Sequence, residues 1–106
     1  NKTVTDYEDA TFHLDARNHQ FIEISAKWTV KQLELRQITP AGPGQILYLH
    51  CGFANGGTIK HTANAKTLTN SFYFANGRDY TMRANTIYQF IFSGVKGQWM
   101  TMQAAI

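Results

Sequence analysis

Thr86-Ile-Tyr-Gln-Phe-Ile-Phe-Ser93, then Gly94-Val-Lys-Gly97, then Gln98-Trp-Met-Thr-Met102: this stretch decides the fold class. In the first run Ile87, Gln89, Ile91 and Ser93 fall on one face of a strand, and Tyr88, Phe90 and Phe92 fall on the other. The Gly-bounded segment fits a hairpin loop, because glycine reaches the positive φ angles of tight turns. The second run carries Trp99 as its one very large side chain, with methionines able to fill gaps around it. That much aromatic surface must be buried, so Tyr88, Phe90, Phe92 and Trp99 are expected in a core or an oligomer interface.

Upstream, short apolar runs alternate with turns. Ala10–Asp15 and Gln20–Ser25 each place apolar groups on one parity (Phe12 and Leu14, then Ile22 and Ile24), separated by the polar turn Ala16–His19. Lys27–Thr39 changes parity, from Trp28 and Val30 to Leu33 and Leu35, which predicts a β-bulge near Lys31-Gln32. Helix formers in Leu33-Glu-Leu-Arg36 leave a helix open there, although β-branched neighbours and the short length favour a strand. Pro40-Ala-Gly-Pro-Gly44 is a turn. Gln45–Cys51 has bulky groups on both faces, as in a central strand covered on both sides. Further strands are expected at Thr58–His61 and Ser71–Phe74, the latter closed by the hairpin-type pair Asn76-Gly77. Short strands with Gly, Asn and Pro turns and no firm helix predict an all-β fold, an antiparallel β-sandwich of jelly-roll type.

The chain has 106 residues, enough for one core. Residues 1–9 are polar and acidic and read as a lead-in from an upstream domain, leaving residues 10–106 as the single sandwich domain. From a start at Asn1 rather than Met a fragment or processed piece is expected, and Asn1-Lys2-Thr3 does not read as a signal peptide. A hydrophobic fraction of 43% opposes disorder, and only 16% of residues are charged, which leaves a surface rich in Thr, Asn and Gln. The net charge of +3 is scattered along the chain, unlike the concentrated stripe of a nucleic-acid groove. No run reaches membrane-spanning length. The single Cys51 allows no internal disulfide and fits assembly in a reducing cytoplasm.

Little in the chain frames chemistry. His50 and Cys51 are adjacent on a strand and point to opposite faces, and no Cys or His pair has zinc-ligand spacing, so neither metal nor cofactor is expected. The carboxylates Asp15, Glu23, Glu34 and Asp79 are isolated, while Asp6, Glu8 and Asp9 sit in the polar lead-in. Ser25, Ser71 and Ser93 lack a nucleophile-elbow context. No catalytic residue is therefore assigned. Tyr7, Phe53 and Tyr73, in or beside loops, are the candidates for stacking on sugar rings. Capping the core is the simpler role for each one singly.

The order of these elements resembles a known family. A strand with Ile-x-Ile is followed by Gly44, Ile46 and Tyr48 after a Pro/Gly turn. Thr58-Ile59, a polar stretch with Leu68, Tyr88 and Phe90, and then Gly97-x-Trp99 complete the pattern. It is similar to the small C-terminal β-structured domains that follow the β-helix of bacteriophage tailspikes and tail fibres, over roughly residues 20 to 102. High aromatic content and His50-Cys51 in place of small apolar residues depart from that pattern. The resemblance implies a viral protein of the virion tail, assembled in the host cytoplasm. It also implies a homotrimer that attaches to bacterial surface polysaccharide without itself cutting it. Cleavage in such proteins belongs to an upstream β-helix, so the parent chain could still be a depolymerase. The rival reading is a carbohydrate-binding module of a glycan-degrading enzyme.

Overall fold

A computed structural model describes residues 2–7, 11–26, 33–52 and 56–101. Nine strands make up the regular structure, and no helix occurs among the described residues. In chain order they are β1 (Lys2–Tyr7), β2 (Thr11–Asp15), β3 (Phe21–Ala26), β4 (Leu33–Thr39), β5 (Ile46–Cys51), β6 (Gly57–Ile59), β7 (Tyr80–Met82), β8 (Thr86–Ser93) and β9 (Gln98–Thr101). Sheet A has the order β1-β3-β5-β8-β9, and sheet B the order β2-β4-β6-β7.

The first six strands alternate between the sheets. Each wrap of chain lays one strand on sheet A and the next on sheet B, parallel to the strands of the wrap before. Thus Ile22 pairs with Leu49, and Leu35 with Ile59. Only the last three strands fold back, so β5–β8, β6–β7 and β8–β9 are antiparallel. The fully antiparallel, jelly-roll expectation is corrected accordingly: both sheets are mixed. A turn signal ends a strand in the same way whether the chain folds back beside it or crosses to the other sheet. Crossing at every corner permits parallel stacking without the long same-sheet crossover that parallel neighbours otherwise need.

Lys2–Tyr7 also differs from the expected lead-in, because its backbone pairs in parallel with β3. Main-chain hydrogen bonds add an edge strand whatever its polarity, so weak hydrophobicity concealed it. The bulge expected near Lys31-Gln32 lies outside the described residues. Register does shift elsewhere, between Phe12 and His13 of β2 against β4. That shift fits Leu35 and Ile38 of β4 both being buried despite opposite parity.

The corners are stapled by a side chain. The Nε2 amide of Gln45 donates to the carbonyls of Ala16 and His19 at 2.8 and 3.0 Å, and Oε1 accepts from the Ala41 N–H. One corner is thereby stacked on the next. Gly44 takes φ +85° in this turn and donates to the Phe92 carbonyl at 2.8 Å.

One core lies between the sheets. Sheet A contributes Ile22, Ile24, Leu47, Leu49, Phe90, Phe92 and Trp99, and sheet B contributes Leu14, Leu35, Ile38, Ile59 and Met82. The aromatic content is absorbed as a chain of contacts. Phe90 meets Phe72 edge-on at 5.2 Å, Phe72 stacks on Phe74, Phe74 on Tyr80, and Tyr80 meets Tyr88 edge-on at 5.5 Å. Such offset and edge-on pairs satisfy the ring quadrupoles. Ser71–Phe74 is not a hairpin strand. Phe72 instead forms single bridges to His61 and to Trp99, which joins the far end of sheet A to the segment leaving sheet B.

Candidate functional site

The parity of β8 decides which side chains remain outside. Phe90 and Phe92 are buried and Tyr88 packs partly against the core, so Ile87, Gln89 and Ile91 face away from it. The β5 register sets Ile46 opposite Ile91, Tyr48 opposite Gln89, and His50 opposite Ile87. On the flanks Phe21 lies beside Tyr48, Glu23 beside His50, and Met100 beside Ile91. The outer face of sheet A is therefore a grid of three rows with large apolar groups in each.

Ile87 is 58% exposed, Tyr48 41% and Ile46 38%. The β8–β9 hairpin adds Val95, 98% exposed at its tip. The expectation that Gln45–Cys51 is covered on both sides is corrected here: Leu47, Leu49 and Cys51 are buried, whereas Ile46 and Tyr48 are open. Loop 62–70 meets the β9 end of this face, where Gln98 Nε2 donates to the Thr62 carbonyl at 2.7 Å.

The outer face of sheet B is built differently. Glu34 pairs with Arg36, Thr58 sits opposite Thr81, and beyond β6 Lys60 pairs with Asp79 at 2.8 Å. These are groups that water solvates without loss, whereas Ile87 and Val95 are not. The Lys60 ammonium, followed by a hydrogen bond from the His61 N–H, holds the Asp79 carboxyl below its ordinary range.

Two polar contacts lie on the described part of the sheet A face. His50 Nδ1 lies 2.9 Å from Glu23 Oε2, and its ring stacks against Phe21 at 6.4 Å. Gln89 Nε2 donates to the Tyr48 hydroxyl at 3.1 Å. On the β3 side the grid is notched. Phe21 pairs with Tyr48, so the neighbour that Ile46 would have had falls in the turn before β3. Gln20, Gly44, Gln45, Ile46 and Tyr48 line the resulting cleft of about 460 Å³.

The sites expected from the sequence are placed as follows. Phe90 and Trp99 are fully buried, Phe92 nearly so, and Tyr88 donates no surface to the open face, its hydroxyl accepting the Arg83 N–H at 2.6 Å. Tyr73 is half-buried and shares its ring with two neighbours. Lys96 Nζ sits 3.6 Å above its centroid, and the His61 ring lies 5.2 Å away. Tyr7 ends β1 with a side chain outside the described set, and Phe53 lies outside the described residues altogether. Tyr48 was missed as an exposed aromatic. Its only sequence signal is its parity, opposite to that of Leu47 and Leu49.

The four carboxylates with described side chains are each paired. Asp15 pairs with Arg17, Glu23 with His50, Glu34 with Arg36 and Asp79 with Lys60, each with its own base. Among the described residues no group of three His, Cys, Asp or Glu side chains is arranged to hold a metal ion. No helix among them is long and apolar enough to cross a membrane. Comparison with models of known families, with curated proteins and with solved structures finds no match to the chain.

Proposed function

We propose that this chain is a non-enzymatic attachment module of the phage tailspike or tail-fibre kind, a β-sandwich that assembles as a homotrimer and holds bacterial surface polysaccharide. The observation that supports this reading is the unequal pair of outer faces. Sheet B turns ion pairs and threonines outward, while sheet A turns out Ile46, Tyr48, Ile87 and Ile91, with Val95 at the adjoining hairpin tip. Fully burying an isoleucine returns about 1.5–3 kcal/mol, so a face with several such groups gains by meeting a like face. Closed three-fold assembly leaves no such patch open.

Within that face the stripe along β8 and β9 (Ile87, Ile91, Met100 and Val95) is assigned to contact between copies. The notch beside β5 lies diagonally across the grid from Ile87 and stays open for a ligand. Attachment requires no proton transfer from the paired carboxylates Asp15, Glu23, Glu34 and Asp79. The test is mass in solution by sedimentation equilibrium. A species of three times 12.0 kDa is expected. A monomer at all concentrations removes the assembly and favours a free-standing carbohydrate-binding module.

A further inference from the structure

We infer that the notch between the start of β3 and β5 is a subsite for a neutral sugar ring, with Tyr48 as its stacking surface. The inference rests on the polysaccharide half of the proposed function and names where and how the glycan is held. Four features of the cleft carry it.

Its position follows from register. Strand β5 extends to Ile46, while β3 begins only at Phe21, opposite Tyr48, so Ile46 and Leu47 have no partner on β3 and one outward position beside Ile46 is missing. A ring entering the gap lies alongside β5 as the missing residue would.

Its aromatic is both open and held. Tyr48 is 41% exposed, its N–H donates to the Gln20 carbonyl at 2.9 Å, and its hydroxyl is fixed by Gln89. An exposed ring kept at one orientation presents a π face at little entropic cost, and a pyranose offers an apolar C–H face to match it.

Its polar groups are neutral amides in two roles. Gln45 spends both ends of its amide on Ala16, His19 and Ala41 and acts as a fixed wall. The exposed Gln20 side chain has no partner among the described residues, which leaves an acceptor and two donors for hydroxyl groups.

Its charge excludes other ligands. Among the described residues no Lys, Arg, His, Asp or Glu lines the cleft, so none of them neutralises a phosphate, a sulfate or a uronate there. Volume agrees with this class: about 460 Å³ falls in the small-ligand range.

The experiment is NMR titration of the full chain with glucose, galactose and N-acetylglucosamine in turn at high millimolar concentration, followed by glucuronate as the charged control. At least one neutral sugar is expected to shift the amides of Gln20, Gln45 and Tyr48. Tyr48→Ala should weaken that sugar about tenfold or more and Gln20→Ala less, with the spectra otherwise unchanged because both side chains are exposed. Shifts confined to another surface, or none with any neutral sugar, overturn the subsite, as does glucuronate binding equally well. Mass measured on the same samples separates the two proposals. A monomer that binds sugar at the cleft keeps the subsite and removes the assembly. A trimer that shows no shifts there does the reverse.

Discussion

The indole N–H of Trp99, on the last strand of sheet A, donates to the carbonyl of Ile38 in sheet B over 2.8 Å. The same ring meets Phe92 edge-on at 5.3 Å and is fully buried. One side chain thereby fills the end of the core and sets the spacing of two sheets that no hairpin joins at that point.

Replacing this residue separates the two contributions. Trp99→Ala should destabilise the chain by about 3–5 kcal/mol through the cavity it leaves. Trp99→Phe keeps much of the volume but strands the Ile38 carbonyl, at about 1–3 kcal/mol. Urea unfolding of the three proteins measures both, and an alanine variant as stable as the parent would show that the indole is not the tie between the sheets.

Gln98 does for loop 62–70 what Gln45 does for the corners. It is fully buried, and Nε2 bridges the Thr62 carbonyl at 2.7 Å and the Ser71 hydroxyl at 3.0 Å. Gln98→Met fills the same space without the donors, leaving the Thr62 carbonyl unpaired at about 1–3 kcal/mol. The loss should be local. Hydrogen exchange of the Thr62 N–H, which donates to Phe72, should speed up, while that of Leu49 should not.

Acid should weaken the Lys60–Asp79 contact in a defined direction. The Asp79 carboxyl lies below its ordinary value of 3.8, first through the Lys60 hydrogen bond and then through the His61 N–H. A lowered folded-state value favours the charged form. The stability it contributes is complete above the unfolded value and is lost as pH falls through the lower, folded one. Asp79→Asn keeps an oxygen for the His61 N–H and removes only the charge. Its thermal midpoint should therefore fall less steeply than the parent's below about pH 4. Both partners are exposed, so the difference should be small and should shrink with added salt. Parallel acid profiles for the two proteins would count against this assignment.

Much of this architecture is legible in the residues, and the illegible parts have physical causes. Alternation along Thr86–Ser93 identifies Phe90 and Phe92 as inward because one face of that strand carries three aromatics in succession. The Gly94–Gly97 loop reads as a hairpin because Gly97 must take φ +66° to return its N–H to the Ser93 carbonyl. The parallel course of β1–β6 is hidden, since pairing depends on which sheet a strand joins and not on its own pattern. Tyr48 is hidden because Gln45–Cys51 carries bulky groups on both parities, and only burial separates Leu47 and Leu49 from Ile46 and Tyr48. Tyr73 stands beside a loop in the sequence, but its ring is claimed by Lys96, more than twenty residues away. No local pattern announces that contact.

Charges placed on the two faces of β8 distinguish its core from its proposed contact surface. Phe90 is 1% exposed and touches Phe72, so Phe90→Lys buries an unpaired ammonium and should leave no folded protein. Ile87 is 58% exposed in the single chain, and a lysine there can extend into water, so Ile87→Lys should change monomer stability by no more than about 0.5 kcal/mol. In an assembled trimer the same ammonium meets the apolar stripe of a neighbour and loses its hydration. The expected result is a folded variant that sediments at 12.0 kDa while the parent sediments at three times that mass. Ile91→Lys, flanked by Ile46 and Met100 on the same face, should act in the same direction. If Ile87→Lys and Ile91→Lys both remain at the parent's mass, whatever that mass is, the β8–β9 stripe is not the contact surface.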